Sequence, residues 1–270
     1  VIAGRMVGGR YLLLDELGRR GFGPTHRAED RITGRTVAVT EIALPAVAGV
    51  RERLLTEVRA AGRLRHPSVV GVLDLVTDRS SAGDMREYLV TEHPEARPLG
   101  AVVETAPPSP RQVALVGRDV LAALRAVHAD GGTHGGLDAD AVLVTADGRA
   151  LLTDVGLARA VGPRPGGNGA PAAPEGGDTP AADLWCLGAV LREAAGPRPS
   201  AGSALATVLD GLTADDPAER PTHDRAAELF ERGARPRSPG GDLGRNRWIL
   251  LGVAGVLAVV VVVLLVLAVL

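Results

Sequence analysis

The chain has 270 residues, 30 cationic and 32 acidic side chains and a net charge of −2. That length holds one two-lobed domain plus an anchor, and that balance gives no reason to expect nucleic acid as a partner. Every cation is an arginine: no lysine exists in the chain to reach a phosphate site, although codon bias explains its absence, and the single cysteine, Cys186, rules out a disulfide framework.

Residues 1–9 carry no apolar signal core and read as a leader. The short apolar runs Leu12–Leu17, Val37–Ile42, Val69–Val76 and Tyr88–Glu92, bounded by Gly, Asp and Ser, predict strands. Between the second and third, Leu54, Val58, Ala61 and Leu64 recur at helical spacing and predict a helix over Arg51–Arg65. Ser109-Pro110, a cap and a first-turn proline, starts a helix that runs through Val113, Val116, Val120, Leu121 and Leu124 to His128. Asp147-Gly148 is a hairpin turn between Val142–Val144 and Ala150–Thr153. Leu184–Ala194 and Ala204–Leu212 are further helices. Gly162–Ala173 is Gly/Pro-rich, is expected to lack fixed structure, and offers no Ser or Thr for phosphorylation. The fold class is therefore α+β, with a β-rich lobe over about 10–94 and a mainly helical lobe over about 95–233.

Residues 234–247 (ARPRSPGGDLGRNR) read as a flexible basic linker. Residues 248–270 are free of charge and, at ~1.5 Å per residue, would reach ~34 Å as a helix, enough to span a bilayer core. Arg232, Arg235, Arg237, Arg245 and Arg247 precede this run. The positive-inside rule then expects a single-pass protein of the plasma membrane with its folded domain in the cytoplasm.

Several motifs occur in order. Gly18, Gly21 and Gly23 form a Gly-rich turn, and Val37-Ala38-Val39-Thr40 follows on a strand. Glu57 lies on the next helix. His134-Gly135-Gly136-Leu137-Asp138-Ala139-Asp140-Ala141 precedes Asp154-Val155-Gly156. Then come Ala173-Pro174-Glu175, Asp183-Leu184-Trp185-Cys186-Leu187-Gly188 and Asp216-Pro217-Ala218-Glu219-Arg220-Pro221. Over residues 10–233 this series resembles the bacterial membrane-anchored serine/threonine protein kinases, and the composition resembles an actinobacterial member.

The resemblance implies a two-lobed kinase fold and also exposes departures from the family pattern. Thr40 stands where the family has its phosphate-binding lysine, Gly136 where it has the catalytic base, and Ala141 where it has a metal-binding Asn. Asp154 is the one retained group that could hold Mg²⁺. Gly18, Gly21, Gly23, Ala38 and Glu57 would line any nucleotide site. However, Pro24 removes a backbone donor there, and Thr25 replaces a valine that would lie against adenine. A tight turn with no ligand is the preferred reading of the glycines. Glu57 reads as a solvated helix residue, with pairing to an arginine as the alternative. Arg20 could point toward phosphate, but a surface arginine is preferred. Asp138 and Asp140 offer a remote rescue as base or metal ligand.

His134, Glu175, Asp183 and Arg220 correspond to scaffold positions, with Glu175–Arg220 as a buried ion pair. The resemblance therefore points to a degenerate member, a pseudokinase acting as a docking or regulatory module with no required cofactor. Its implied partners are active kinases or phosphothreonine-reading domains. The alternatives are a weak serine/threonine kinase, or an ATP-binding sensor that uses ATP and Mg²⁺ without transfer.

Overall fold

The computed structural model describes residues 4–20, 22–162, 171–196 and 199–236. The first lobe is built from β1 (Met6–Val7), β2 (Tyr11–Arg20), β3 (Gly23–Asp30), β4 (Thr36–Ile42), α1 (Val50–Arg63), β5 (Val72–Arg79) and β6 (Met85–Glu92). Its strands make one antiparallel sheet in the order β1-β2-β3-β4-β6-β5. Alternation along each strand sorts the side chains between the two faces. Val37 and Val39 of β4 join Val7, Tyr11, Leu13, Ala28, Tyr88 and Val90 in one core. Ile42 and Leu89 belong instead to a second apolar cluster, which includes Leu54 of α1.

Residues 4–9, expected as a leader, belong to this lobe. The Gly8 amide donates to Asp78 at 2.7 Å, and the Tyr11 hydroxyl donates to Asp74 at 2.8 Å, so the two edges of the sheet curl together. A Cβ on Gly8 would lie 2.3 Å from the Val76 side chain, and only glycine permits that approach.

The strand expected from Val69 begins three residues later, at Val72. Residues 68–70 pair with the second lobe instead: the Val70 amide donates to the Leu152 carbonyl at 2.9 Å, and the Leu152 amide donates to the Ser68 carbonyl at 2.8 Å. Gly71 separates the two pairings.

The second lobe continues with β7 (Ala96–Pro98), α2 (Leu99–Thr105), α3 (Pro110–Ala129), β8 (Val142–Thr145), β9 (Ala150–Leu152) and α4 (Leu157–Val161). It ends with α5 (Pro180–Ala194), α6 (Ala204–Leu212), a 3₁₀ turn at Pro217–Glu219 and α7 (His223–Ala234). Ser109 caps α3 in a full capping box with Gln112. Thr179 caps α5, which starts at Pro180, before the expected Leu184. The core runs through Leu121 and Leu124 of α3, Leu187 and Leu191 of α5, Leu209 of α6 and Phe230 of α7.

Neither α2 nor α4 is signalled by periodicity, because each is too short to show one. Among the described residues, no helix is long and apolar enough to cross a membrane. The expected span at 248–270 and most of the linker and of Gly162–Ala173 lie outside the described residues.

Candidate functional site

The lysine position comes first. Thr40 is cross-strand partner to Thr25, and both are buried. Their hydroxyls are 3.0 Å apart and satisfy each other. Two family departures thus form one closed pair, and the Thr40 hydroxyl is spent inside the sheet. Ala38, also buried, lies across from Arg27 on β3 and Thr91 on β6.

Helix α1 is fixed at two points. Arg51 donates to the buried Glu87 carboxylate at 2.7 Å, and Thr77 donates to the same carboxylate at 2.9 Å. Further along, Glu57 meets the Arg159 guanidinium of α4 at 3.2 Å, and its side chain is only 18% exposed. The preferred expectation of a solvated Glu57 is overturned: with Thr40 unable to pair with it, the carboxylate is held by an arginine that sequence reasoning did not identify. Arg159 also donates to Thr133 at 3.2 Å.

The loop from His134 to Ala141 keeps its framework. His134 is buried and its Nε2 donates to the Thr153 carbonyl at 2.9 Å. Asp183 accepts the His134 amide at 2.7 Å, the Gly135 amide at 3.0 Å and His128 Nε2 at 2.8 Å. Burial pushes the Asp183 pKa up, but the His128 hydrogen bond, the nearby His134 and the two amides outweigh it and hold the carboxyl below the usual range. His223 Nε2 lies 3.0 Å from His128 Nδ1, which extends this chain to the start of α7.

The reactive positions in the loop are closed by packing. Ala141 is fully buried in the second lobe's core, where no metal could reach it. Asp138 accepts the amides of Asp140 and Ala141 at 3.0 and 2.9 Å, and so braces the turn. A Cβ on Gly136 would stand 2.7 Å from the Ala158 Cβ, and one on Gly135 would stand 2.6 Å from Arg159 Cγ. Asp154 has φ +62°, the one non-glycine positive φ among the described residues, and its Oδ1 accepts from Thr153 at 3.3 Å.

Above the loop, Gly18 has φ +114°, and a Cβ on Gly23 would fall 1.9 Å from the Glu41 carbonyl oxygen. The turn therefore presses on β4. Gly21 lies outside the described residues, as do the side chains of Arg19 and Arg20. Phe22, at the tip of the turn, is buried in the apolar cluster with Ile42, Leu54, Leu89, Leu157 and Ala160. Phe22, Ala158 and Arg159 carry much of this cleft's character, and all three were missed. The available signal was the doubled glycine at 135–136 and the small residues flanking Arg159.

Below, Glu175, exposed rather than buried as expected, forms the implied ion pair through two hydrogen bonds, at 2.5 and 2.7 Å, from Arg220. The Arg220 side chain is 1% exposed and also donates to the carbonyls of Ala181, Ala214 and Asp215.

These residues do not fit ATP and Mg²⁺ as the family would hold them. The lysine position is a self-satisfied hydroxyl, the glutamate is held by Arg159, and the base and Asn positions are packed against Ala158 and into the core. Among the described residues, no group of three or more His, Cys, Asp or Glu could hold a metal ion. A cavity of about 170 Å³ lies between α1 and the end of α3, with Glu57, Thr133 and Arg159 among its lining residues.

The fold and this cleft define a two-lobed protein-kinase-like domain with its scaffold intact and its reactive positions substituted. Residues 11–204 match the protein kinase domain family, and the chain belongs to that family. It is 32% identical over 220 residues to the serine/threonine-protein kinase PknA of Mycobacterium tuberculosis, covering 76% of this chain and 51% of PknA. It is 35% identical over 161 residues to the serine/threonine-protein kinase PksC of Streptomyces coelicolor, covering 56% of this chain and 29% of PksC. The chain thus spans about half, or less, of the length of these bacterial relatives. The crystal structure of the Mycobacterium tuberculosis PknI kinase domain aligns with a TM-score of 0.67 at 19% identity, over 87% of this chain and 99% of that one. A double mutant of the same domain aligns at 0.70 and 21% identity, over 87% and 100%. At those identities the likeness concerns the fold alone.

Proposed function

We propose that this chain is a catalytically silent member of its family: a membrane-tethered, cytoplasmic docking or regulatory domain in serine/threonine kinase signalling. The observation that carries the reading is the pairing inside the cleft. Thr40 is satisfied by Thr25 and Glu57 by Arg159, so the position that would contact phosphate and the glutamate that would orient its lysine are both engaged elsewhere. Phosphoryl transfer depends mostly on positioning and electrostatic stabilisation, and losing these groups together with the base removes both. Tethering rests on residues 248–270 and the arginines before them. The partners expected are active kinases and phosphothreonine-reading domains, consistent with relatives named as serine/threonine-protein kinases.

The test is a thermal-shift titration of the full chain with millimolar ATP and Mg²⁺, alongside incorporation of labelled phosphate. No shift and no incorporation are expected. A shift without transfer would favour a nucleotide sensor, and transfer abolished by Asp154→Ala would replace the silent reading with that of a weak kinase.

A further inference from the structure

We propose that α4 is a resident occupant of the cleft, a segment of this chain that packs over the position of the missing base and holds the two lobes together there. The inference rests on the silent reading above and says what maintains it. An isolated helix of five residues does not persist in water, so the helicity of α4 reflects what it packs against. Three walls hold it. Below, Ala158 faces Gly136, and Arg159 lies over Gly135. At the side, Arg159 bridges Glu57 of the first lobe and Thr133 of the second. Toward the first lobe, Leu157 and Ala160 share an apolar cluster with Phe22 of the Gly-rich turn and Leu54 of α1.

The glycine at 136 discriminates this reading from simple decay of the catalytic loop. Gly135 has φ +73°, which favours glycine whatever packs nearby. Gly136 is not among the positive-φ residues, so its backbone makes no such demand. What excludes a side chain at 136 is the Ala158 methyl, 2.7 Å from where a Cβ would stand. Loss of the base and seating of α4 are therefore one structural event: any side chain returned to position 136 displaces the helix.

Hydrogen–deuterium exchange on the full chain in detergent, without nucleotide, tests this. Gly136→Ala should speed exchange of the amides of 157–161 and of α1 about tenfold or more, because overpacking opens the local structure. Ala158→Gly removes the opposing methyl, so the double variant should exchange no faster than Ala158→Gly alone. Gly62→Ala, where a Cβ meets nothing within 4 Å, is the control: it should leave 157–161 unchanged and, as a glycine replaced inside α1, slow rather than speed exchange of that helix. Unchanged exchange in Gly136→Ala, or independent effects of the two substitutions, would overturn the proposal. Should Gly136→Ala fail to fold, Arg159→Gln takes its place: faster exchange in α1 and 157–161 with α3 unaffected supports the proposal, and no change refutes it. Because no nucleotide is added, failure here leaves the silent reading standing, whereas phosphate transfer by the wild-type chain refutes that reading directly.

Discussion

The Thr25–Thr40 pair permits a sharp test of how the cleft was closed. Replacing either residue by valine keeps shape and volume but strands one buried hydroxyl, which costs about 1–3 kcal/mol. Replacing both removes donor and acceptor together and should be close to neutral. For a domain of this size each kcal/mol moves the midpoint by roughly 2–4 °C. Each single variant should therefore melt several degrees lower, and the double variant should melt near the wild type. Scanning fluorimetry of the four proteins at one detergent and salt condition reads this directly. Thr40→Lys belongs to the same series: it places an ammonium beside Thr25 while Glu57 is held by Arg159, so it should destabilise the fold and confer no ATP-dependent shift. Additive losses in the double variant, or an ATP response gained by Thr40→Lys, would refute the reasoning.

Three further outcomes follow from the packing and charges. The Arg220 hydrogen bond holds the Glu175 carboxyl below its ordinary 4.5. The pair's contribution is therefore present above about 4.5 and is lost as pH falls through the lower folded value. Acid titration of stability should show this loss in the wild type and a flatter profile in Glu175→Gln. Gly117→Ala should destabilise by about 1–3 kcal/mol despite its better helix propensity, because the new Cβ would meet Phe230 at 2.4 Å and Leu191 at 2.8 Å. Phe230→Leu in the same chain should recover part of the loss of midpoint. Burial, and then the Asp183 carboxylate, push the Cys186 thiol up to about 12. Iodoacetamide at pH 8 should accordingly leave it unmodified in the folded chain and alkylate it in denaturant, as read by mass.

How much of this was legible in the sequence depends on whether a residue acts through its neighbours in the chain or through a distant partner. His134, Glu175, Asp183 and Arg220 occur in compact motifs; Glu175 and Arg220 form the ion pair their motifs implied, and His134 and Asp183 brace the loop as scaffold residues. The α3 start was equally readable, because Ser109, Pro110 and Gln112 are local signals. The cleft was not, since each of its determinants is half of a pair joined only by folding. Thr40 reads as a deletion until β3 brings Thr25 opposite it. Glu57 reads as solvated until α4, too short to leave a period, presents Arg159. Gly136 reads as a missing base until Ala158 fills the space beside it.

That pairwise character bears on why the site lacks its family chemistry. Loss of catalytic groups without compensation leaves their former partners as buried polar atoms or voids, each costing on the order of 1–3 kcal/mol. Here the carboxylate on α1 is held by a guanidinium, the lysine position satisfies a second substituted residue, and the base position is filled from a neighbouring helix. A cleft whose losses are matched in this way supports the proposed reading of a domain kept folded for a purpose other than phosphoryl transfer. On that proposal, the surfaces fixed by the arrangement, on α1 and the lobes it joins, are where recognition of a partner would be tested first.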